Sequence, residues 1–230
     1  MAEIIVGARE ARTQSEGVVQ GYAQTAQRWP SQPLARRPHT LSELSGPSRL
    51  SRRLTPSRSD LAGQGDRRAI GQLIHIRARV MDEDGAPVPG AMVEIWHCNA
   101  AGKYIHPNDS NDAPADPNFY GAARLLADDN GQVELRTIKP AAYPVPDTDG
   151  WWRPPHVHFS VWGRVWLSRL VTQMFFPGEP LNERDAILNS VRDAQARERC
   201  IARFIPSRGH ALVYEYDLVV RGRKASEAMP

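Results

Sequence analysis

The sequence predicts an all-β protein, an antiparallel β-sandwich, and three observations carry that reading. Residues 70–80 (IGQLIHIRARV) alternate apolar and polar side chains, the period of a half-buried strand. Further short runs of this kind follow, punctuated by Gly, Pro, Asn and Asp, as in a sandwich of short strands. Between "GAARLLA" and "QVELRTI" stands "DDNG" at 128–131, a strong hairpin turn signal.

Taken in order, residues 1–68 are expected to form an extended Arg/Pro-rich arm and residues 69–230 the sandwich. Five prolines interrupt residues 30–56, while Leu34, Leu41, Leu44, Leu50 and Leu54 are spaced apolar anchors. A segment this irregular cannot bury itself and suits wrapping a partner subunit. After the strand at 70–80 comes a turn-rich link, "DEDGAPVPG" at 82–90, then a strand "AMVEIW" at 91–96. The hairpin pair follows, then "HVHFSVWG", "LVTQMFF" and "ALVYEYDLVV" as later strands. The exception is "LNERDAILNSVRDAQARERC" at 181–200, where Ile187, Leu188, Val191 and Ala194 recur at helical spacing. It reads as one short amphipathic helix near 182–198, with Asn182 as its N-cap.

Composition narrows the function classes. With 41% hydrophobic and 24% charged residues the chain has the make-up of a soluble globular protein. No apolar run approaches the roughly 18 residues of a membrane helix, so no membrane partner is expected. The opening MAEIIVGARE lacks a basic stretch followed by a long apolar one, so no secretion signal is read. Cys98 and Cys200 lie far apart and outside any metal-type spacing, which suits a reducing, cytoplasmic compartment. The net charge of +3 rests on 26 Arg and 3 Lys. Eleven of those Arg fall in residues 1–70, but Tyr22 and Trp29 are the only aromatics among them and no regular aromatic interleaving occurs, so nucleic acid is not the expected partner.

The chemistry is concentrated in "GWWRPPHVHF" at 150–159. On a strand, His156 and His158 point to the same face and can converge on one object. Two tyrosines stand in loops upstream: Tyr104 in "NAAGKYIH" and Tyr143 in the proline-rich "KPAAYPVPDTDG". Each residue alone also fits an ordinary polar strand or loop. Their order is what lifts them: tyrosine loop, tyrosine loop, then Arg-x-x-His-x-His.

In this order the chain resembles the intradiol ring-cleavage dioxygenases, most closely the protocatechuate 3,4-dioxygenase β-subunit branch. The resemblance runs from "GYAQTAQRWPSQPLARRP" to "YEYDLVVRGR". Its most specific blocks are "GAPVPGAMVEIWHCNAAGKYIHPND", "DPNFYGAARLLADDNGQVELRTIKPAAYP", "WRPPHVHFSVWG" and "LVTQMFFPGEPL". It implies one non-haem Fe(III) per chain, held by Tyr104 and His156 as equatorial ligands and Tyr143 and His158 as axial ones. Hard phenolate donors suit a ferric ion, and the set differs from the two-His-one-carboxylate triad of ferrous oxygenases. The implied reaction is O2-dependent cleavage of protocatechuate to 3-carboxy-cis,cis-muconate, a step of aromatic catabolism in the β-ketoadipate pathway. Tyr143 doubles as a base that takes a substrate proton. Arg153 supplies a fixed positive charge beside the ring, and Gln173 lies near the oxygen-binding side. Tyr22, Trp96 and Ile187 shape the substrate pocket by the same analogy. His97, His106 and Cys98 lie near the first tyrosine loop and are read as structural. The resemblance also implies a related, iron-free α-subunit that completes the pocket, in an (αβ)n oligomer.

One position departs from the pattern. Where the family has an aromatic after Tyr-Pro, this chain has Val145. Exchanging an indole for an isopropyl group opens space beside the substrate, and pocket selectivity responds to changes of that size. A catechol with a bulkier 4-anion, such as 4-sulfocatechol, is therefore an alternative substrate. A reading from another class is a non-catalytic prealbumin-like binding module. "DEDGAPVPGAMVEI" and "DDNGQVELRTI" suit it equally; the two tyrosines and the His pair do not.

Overall fold

The computed structural model describes residues 56–220, apart from 65, 147, 149, 164–168 and 208. Tyr22 and the leucine-bearing stretch of the arm lie outside the described residues. The strands are, in order, β1 (Gly63–Gln64), β2 (Arg67–Arg68), β3 (Leu73–Met81), β4 (Met92–Trp96), β5 (Ala122–Leu126) and β6 (Gln132–Ile138). They continue with β7 (Tyr143–Pro144), β8 (Trp152–Arg153), β9 (His156–Trp162), β10 (Arg169–Phe175), β11 (Arg203–Ile205) and β12 (Leu212–Val219).

Eight of these build two four-stranded sheets, ordered β10-β9-β4-β5 and β11-β12-β3-β6. Alternation decides which side chains meet between them. From the first sheet come Val93, Ile95, Val157, Phe159 and Val161; from the second, Ile74, Ile76, Val133, Leu135, Tyr216 and Leu218. Phe159 meets Tyr216 across the layers with ring centroids 5.4 Å apart, and Tyr216 Oη donates to Gln173 O at 3.0 Å. The residues between the core positions of β9 and β4 face away from the sandwich. Register places Trp96 opposite His158 and Glu94 opposite Ser160 on that outer face.

The hairpin forms where "DDNG" places it. Asp128 Oδ1 accepts from Asn130 N and Gln132 N, and Gly131 adopts φ 74°, a left-handed conformation that glycine takes without a Cβ penalty. Residues 57–62 lie against the sandwich: Leu61 is fully buried, its N–H donates to Arg136 O at 2.8 Å, and Asp60 ion-pairs with Arg136.

The expected β-sandwich is present, and two of its details differ from the reading. Strand pairing is not antiparallel throughout, because β12 lies parallel to β3, from Leu212 opposite Ile74 to Val219 opposite Met81. The chain returns to this sheet at β6, on one edge of β3, but reaches the other edge only at β12, after β9 and β10 have joined the opposite sheet, and so long a crossover permits a parallel neighbour. The single helix near 182–198 is also broken. A 3-10 turn spans Pro180–Arg184, followed by α1 (Ala186–Asn189) and α2 (Ala194–Glu198). Asn182 caps neither helix. Asp185 and Asp193 accept from Leu188 N and Ala196 N, and each cap restarts the helix where a continuous one would have run through. No helix among the described residues is long and apolar enough to cross a membrane.

Candidate metal centre

The outer face of β9 carries His156 and His158, whose rings stand 4.9 Å apart. Val157 between them points into the core and fixes the strand's rotation. Neighbouring strands supply a row across the sheet: Trp96 on β4, His158 on β9 and Gln173 on β10. Trp96 stacks on His158 with an interplanar angle of 6° and a centroid distance of 4.9 Å. On the next row Phe175 covers His156, centroid to centroid 5.8 Å.

Two loops bring the tyrosines over this face. The loop after β4 is knotted by Asn99, whose Oδ1 accepts from Ala101 N and Lys103 N while its Nδ2 donates to Pro114 O. Asp109 Oδ2 accepts from Tyr104 N at 2.7 Å, and Lys103 Nζ donates to Asp109 O and Asn111 O. The same Asn99 joins the second loop, because its carbonyl accepts from Ala141 N at 3.2 Å. Gly102 sits at φ 86° where the loops touch, and a Cβ there would lie 3.0 Å from both Ala142 O and Tyr143 Cβ. Tyr143 then enters the β7–β8 ribbon directly opposite Arg153, so the two side chains share a face.

The four side chains converge. Tyr104 Oη lies 3.0 Å from His158 Nε2 and 3.5 Å from Tyr143 Oη, and Tyr143 Oη lies 3.3 Å from His156 Nε2. His156 Nδ1 is 2.7 Å from Pro154 O. That carbonyl can only accept, so the ring proton sits on Nδ1 and the Nε2 lone pair faces the tyrosines. Burial, then the charge of Arg153, lowers the His158 pKa to about 3 and pushes that of His156 well below its ordinary value. Both imidazoles are therefore neutral donors at physiological pH. Burial raises the Tyr104 phenol well above its ordinary range, and the adjacent Tyr143 raises it further.

Two neutral nitrogens and two phenol oxygens at this separation suit a hard, highly charged cation. Such an ion reverses the tyrosine electrostatics, because its charge compensates the phenolates that burial alone disfavours. No group of three or more His, Cys, Asp and Glu placed to hold a metal occurs among the described residues, which leaves the mixed tyrosine–histidine set as the candidate.

Arg153 is 3% exposed and fixed on two sides: Nε donates to Asp185 Oδ2 and Nη2 to Gln173 Oε1, both at 2.6 Å. Gln173 thus meets the arginine as well as the His158 row. Val145 is buried beside the ribbon, its N–H donating to Trp151 O at 2.9 Å, and Ile187 is half-buried on α1. His97 lies under the site as a pin. Its Nδ1 is 2.7 Å from Cys98 O and its Nε2 2.9 Å from Thr137 Oγ1, while burial lowers its pKa to about 4. The Cys98 thiol, pushed up to about 12 mainly by burial, donates to Ala141 O, and its low acidity leaves it unreactive. His106 is exposed on the loop, where its Nδ1 accepts from Asn108 N. Sequence reasoning passed over Asp185 and Asn99. An Asp immediately before the apolar "AILN" is an N-cap signal that could have drawn attention to the first; no local pattern marks the second.

Comparison with known proteins bears on the family and the fold. Residues 44–222 match the family described as Dioxygenase. The chain is 42% identical over 210 residues to the protocatechuate 3,4-dioxygenase beta chain of Burkholderia cepacia, covering 89% of each. It is 32% identical to catechol 1,2-dioxygenase 2 of Acinetobacter lwoffii, over 56% of this chain and about half, 51%, of that longer one. The solved structure of chlorocatechol 1,2-dioxygenase from Pseudomonas putida superimposes with a TM-score of 0.54 at 26% identity, over 72% of this chain and 65% of that one. A β-sandwich with these loops, matched along most of its length, belongs to the intradiol dioxygenase family.

Proposed function

We propose that this chain is the iron-bearing subunit of an enzyme that cleaves protocatechuate with O2 to 3-carboxy-cis,cis-muconate. Tyr104, Tyr143, His156 and His158 would hold one non-haem ferric ion. The observation that carries the reading is the convergence of two phenol oxygens and two neutral imidazole nitrogens, in which the successive pairs His158–Tyr104, Tyr104–Tyr143 and Tyr143–His156 stand 3.0, 3.5 and 3.3 Å apart. When bound, the ferric ion supplies a Lewis-acidic anchor for the catechol oxygens and makes the ring open to O2.

The remaining work falls to the chain's own side chains. Tyr143 Oη, as the phenolate, accepts one catechol proton and becomes the neutral phenol, a role suited to its place on the short β7–β8 ribbon. Arg153 places positive charge beside the ring as electron density builds up on it. Gln173 holds Arg153 from β10. Trp96 fixes the plane of His158 by stacking, and Pro154 O fixes the tautomer of His156. In this reading residues 1–68 are the arm that makes subunit contacts, Tyr22 shapes the substrate pocket, and an iron-free α-type partner is supported by the beta-chain name of the relative.

Val145 favours a second reading of the substrate, a catechol with a bulkier 4-anion such as 4-sulfocatechol. The chain is to be co-expressed with its α-type partner, loaded with iron and given protocatechuate, while O2 uptake and loss of the catechol absorbance are followed. Stoichiometric O2 consumption is expected; iron binding without ring cleavage of either catechol overturns the reading.

A further inference from the structure

Asp185 has no exposed surface and sits where three elements meet. Its Oδ2 accepts from Arg153 Nε at 2.6 Å, and its Oδ1 lies 3.5 Å from Arg153 Nη2. The same Oδ1 accepts from Leu188 N at 2.7 Å, capping α1, the turn that carries Ile187. Its backbone carbonyl accepts from both Asn189 N and Asn189 Nδ2. On the arginine's far side Nη2 meets Gln173 Oε1, so two of the three guanidinium nitrogens are committed within the protein. Nη1 makes no hydrogen bond to any of the described residues.

Neither the fold nor the cap explains a charge here. An N-cap needs an acceptor, and asparagine serves as well as aspartate. A buried ion pair is weak support for stability, since desolvating both groups offsets most of their attraction. What a carboxylate provides that a neutral acceptor does not is a fixed orientation and a counter-charge for a guanidinium.

We propose that Asp185 is a positioning residue of the active site: its carboxylate sets the plane of Arg153, reserves Nη1 for the substrate, and ties that setting to the helical turn of Ile187. The inference rests on the reading of Arg153 as the cation beside the catechol. It makes the pocket wall and the charge one mechanical unit, so that a displacement of α1 reaches the arginine through a single side chain.

The test uses the iron-loaded enzyme with its α-type partner and compares wild type, Asp185→Asn, Arg153→Gln and the double variant. Asparagine keeps the size of the side chain and the cap but removes the charge. Asp185→Asn is expected to retain stoichiometric iron and a KM for protocatechuate within about threefold, while kcat falls by about 100-fold. In the Arg153→Gln background the same substitution is expected to change kcat by less than about twofold, because Asp185 acts through the arginine it holds. A merely structural role would give the same further loss in both backgrounds and would lower the iron content, and that result overturns the proposal. So does an Asp185→Asn kcat within about threefold of an active wild type. A wild-type enzyme that binds iron but cleaves no catechol overturns the functional reading itself, which is a separate outcome. If asparagine prevents folding, Asp185→Glu carries the test: it keeps the charge and shifts the carboxylate by one methylene. The expected kcat loss is then about tenfold, and an unchanged kcat overturns the proposal.

Discussion

At the scale of single residues, the four donor side chains are unequal. His158 is held by Trp96 stacking and by its place in a three-strand row, and its lone pair has no duty except toward the site. Replacing His158 with alanine is expected to abolish iron binding, read as loss of the metal and of the tyrosinate-to-iron colour; stoichiometric iron in this variant would show the ligand assignment to be wrong. Tyr143→Phe keeps the ring against His156 but removes the proton acceptor. It is expected to retain much of the iron and to slow catechol binding in stopped-flow measurements. Val145 tests selectivity. Filling the space with Val145→Trp should penalise kcat/KM for 4-sulfocatechol more than for protocatechuate, by a difference of about 1–3 kcal/mol. Equal losses on both substrates would detach this position from the 4-substituent. The shared face of His156 and His158 was legible from spacing alone, because period two is a property of any strand. The tyrosines were legible only through the longer blocks around them. Asp185 was not legible as a partner of Arg153, since 32 positions separate them and their contact exists only after β8 meets α1.

At the scale of elements, the two tyrosine loops behave as one. Asn99 bonds to both, and Gly102 fills the gap between them with a backbone that tolerates no Cβ. Gly102→Ala combines a left-handed φ with two 3.0 Å contacts, and is expected to cost about 1–3 kcal/mol of stability in urea unfolding and to lower iron occupancy. Full occupancy at wild-type stability would show that the loops move independently. His97, beneath them, gives the fold an acid limit. Its pKa is lowered from 6.5 to about 4, so between these values the unfolded chain takes up a proton that the folded chain refuses. Stability should therefore be level above pH 6.5 with respect to this group and fall as pH drops toward 4, by about 3 kcal/mol in all. The urea midpoint at pH 7 and pH 4.5, compared with that of His97→Gln, measures this share. An equal pH dependence in both proteins would assign it elsewhere. The strands were readable because alternation and turn residues agree locally, as in "DDNG". The single helix was not, because apolar spacing across 187–194 ignores the competing caps at Asp185 and Asp193.

At the scale of the molecule, the site lies on the outside of the sandwich, under loops rather than between the sheets. Such a site depends on what covers it. Trp152 and Ile105, on the β8 strand and the Tyr104 loop, are both exposed. Co-purification with an α-type partner is expected to yield a hetero-oligomer in gel filtration with higher kcat/KM than the isolated chain. A stable monomer of full activity would remove the partner from the mechanism.

The parallel placement of β12 has a consequence for synthesis. The strand Leu212–Val219 lies between β11 and β3 in the middle of its sheet, although β3 is made far earlier. A nascent chain halted before residue 212 therefore holds β3 and β6 with one long edge bare, and Phe159 without the Tyr216 ring that packs on it. An unpaired edge of this length invites pairing with another chain. Closure of the sheet waits for Leu212–Val219, and the long sequence separation from β3 slows it. Until residues 212–219 have been made, the β12 side of β3 needs other cover.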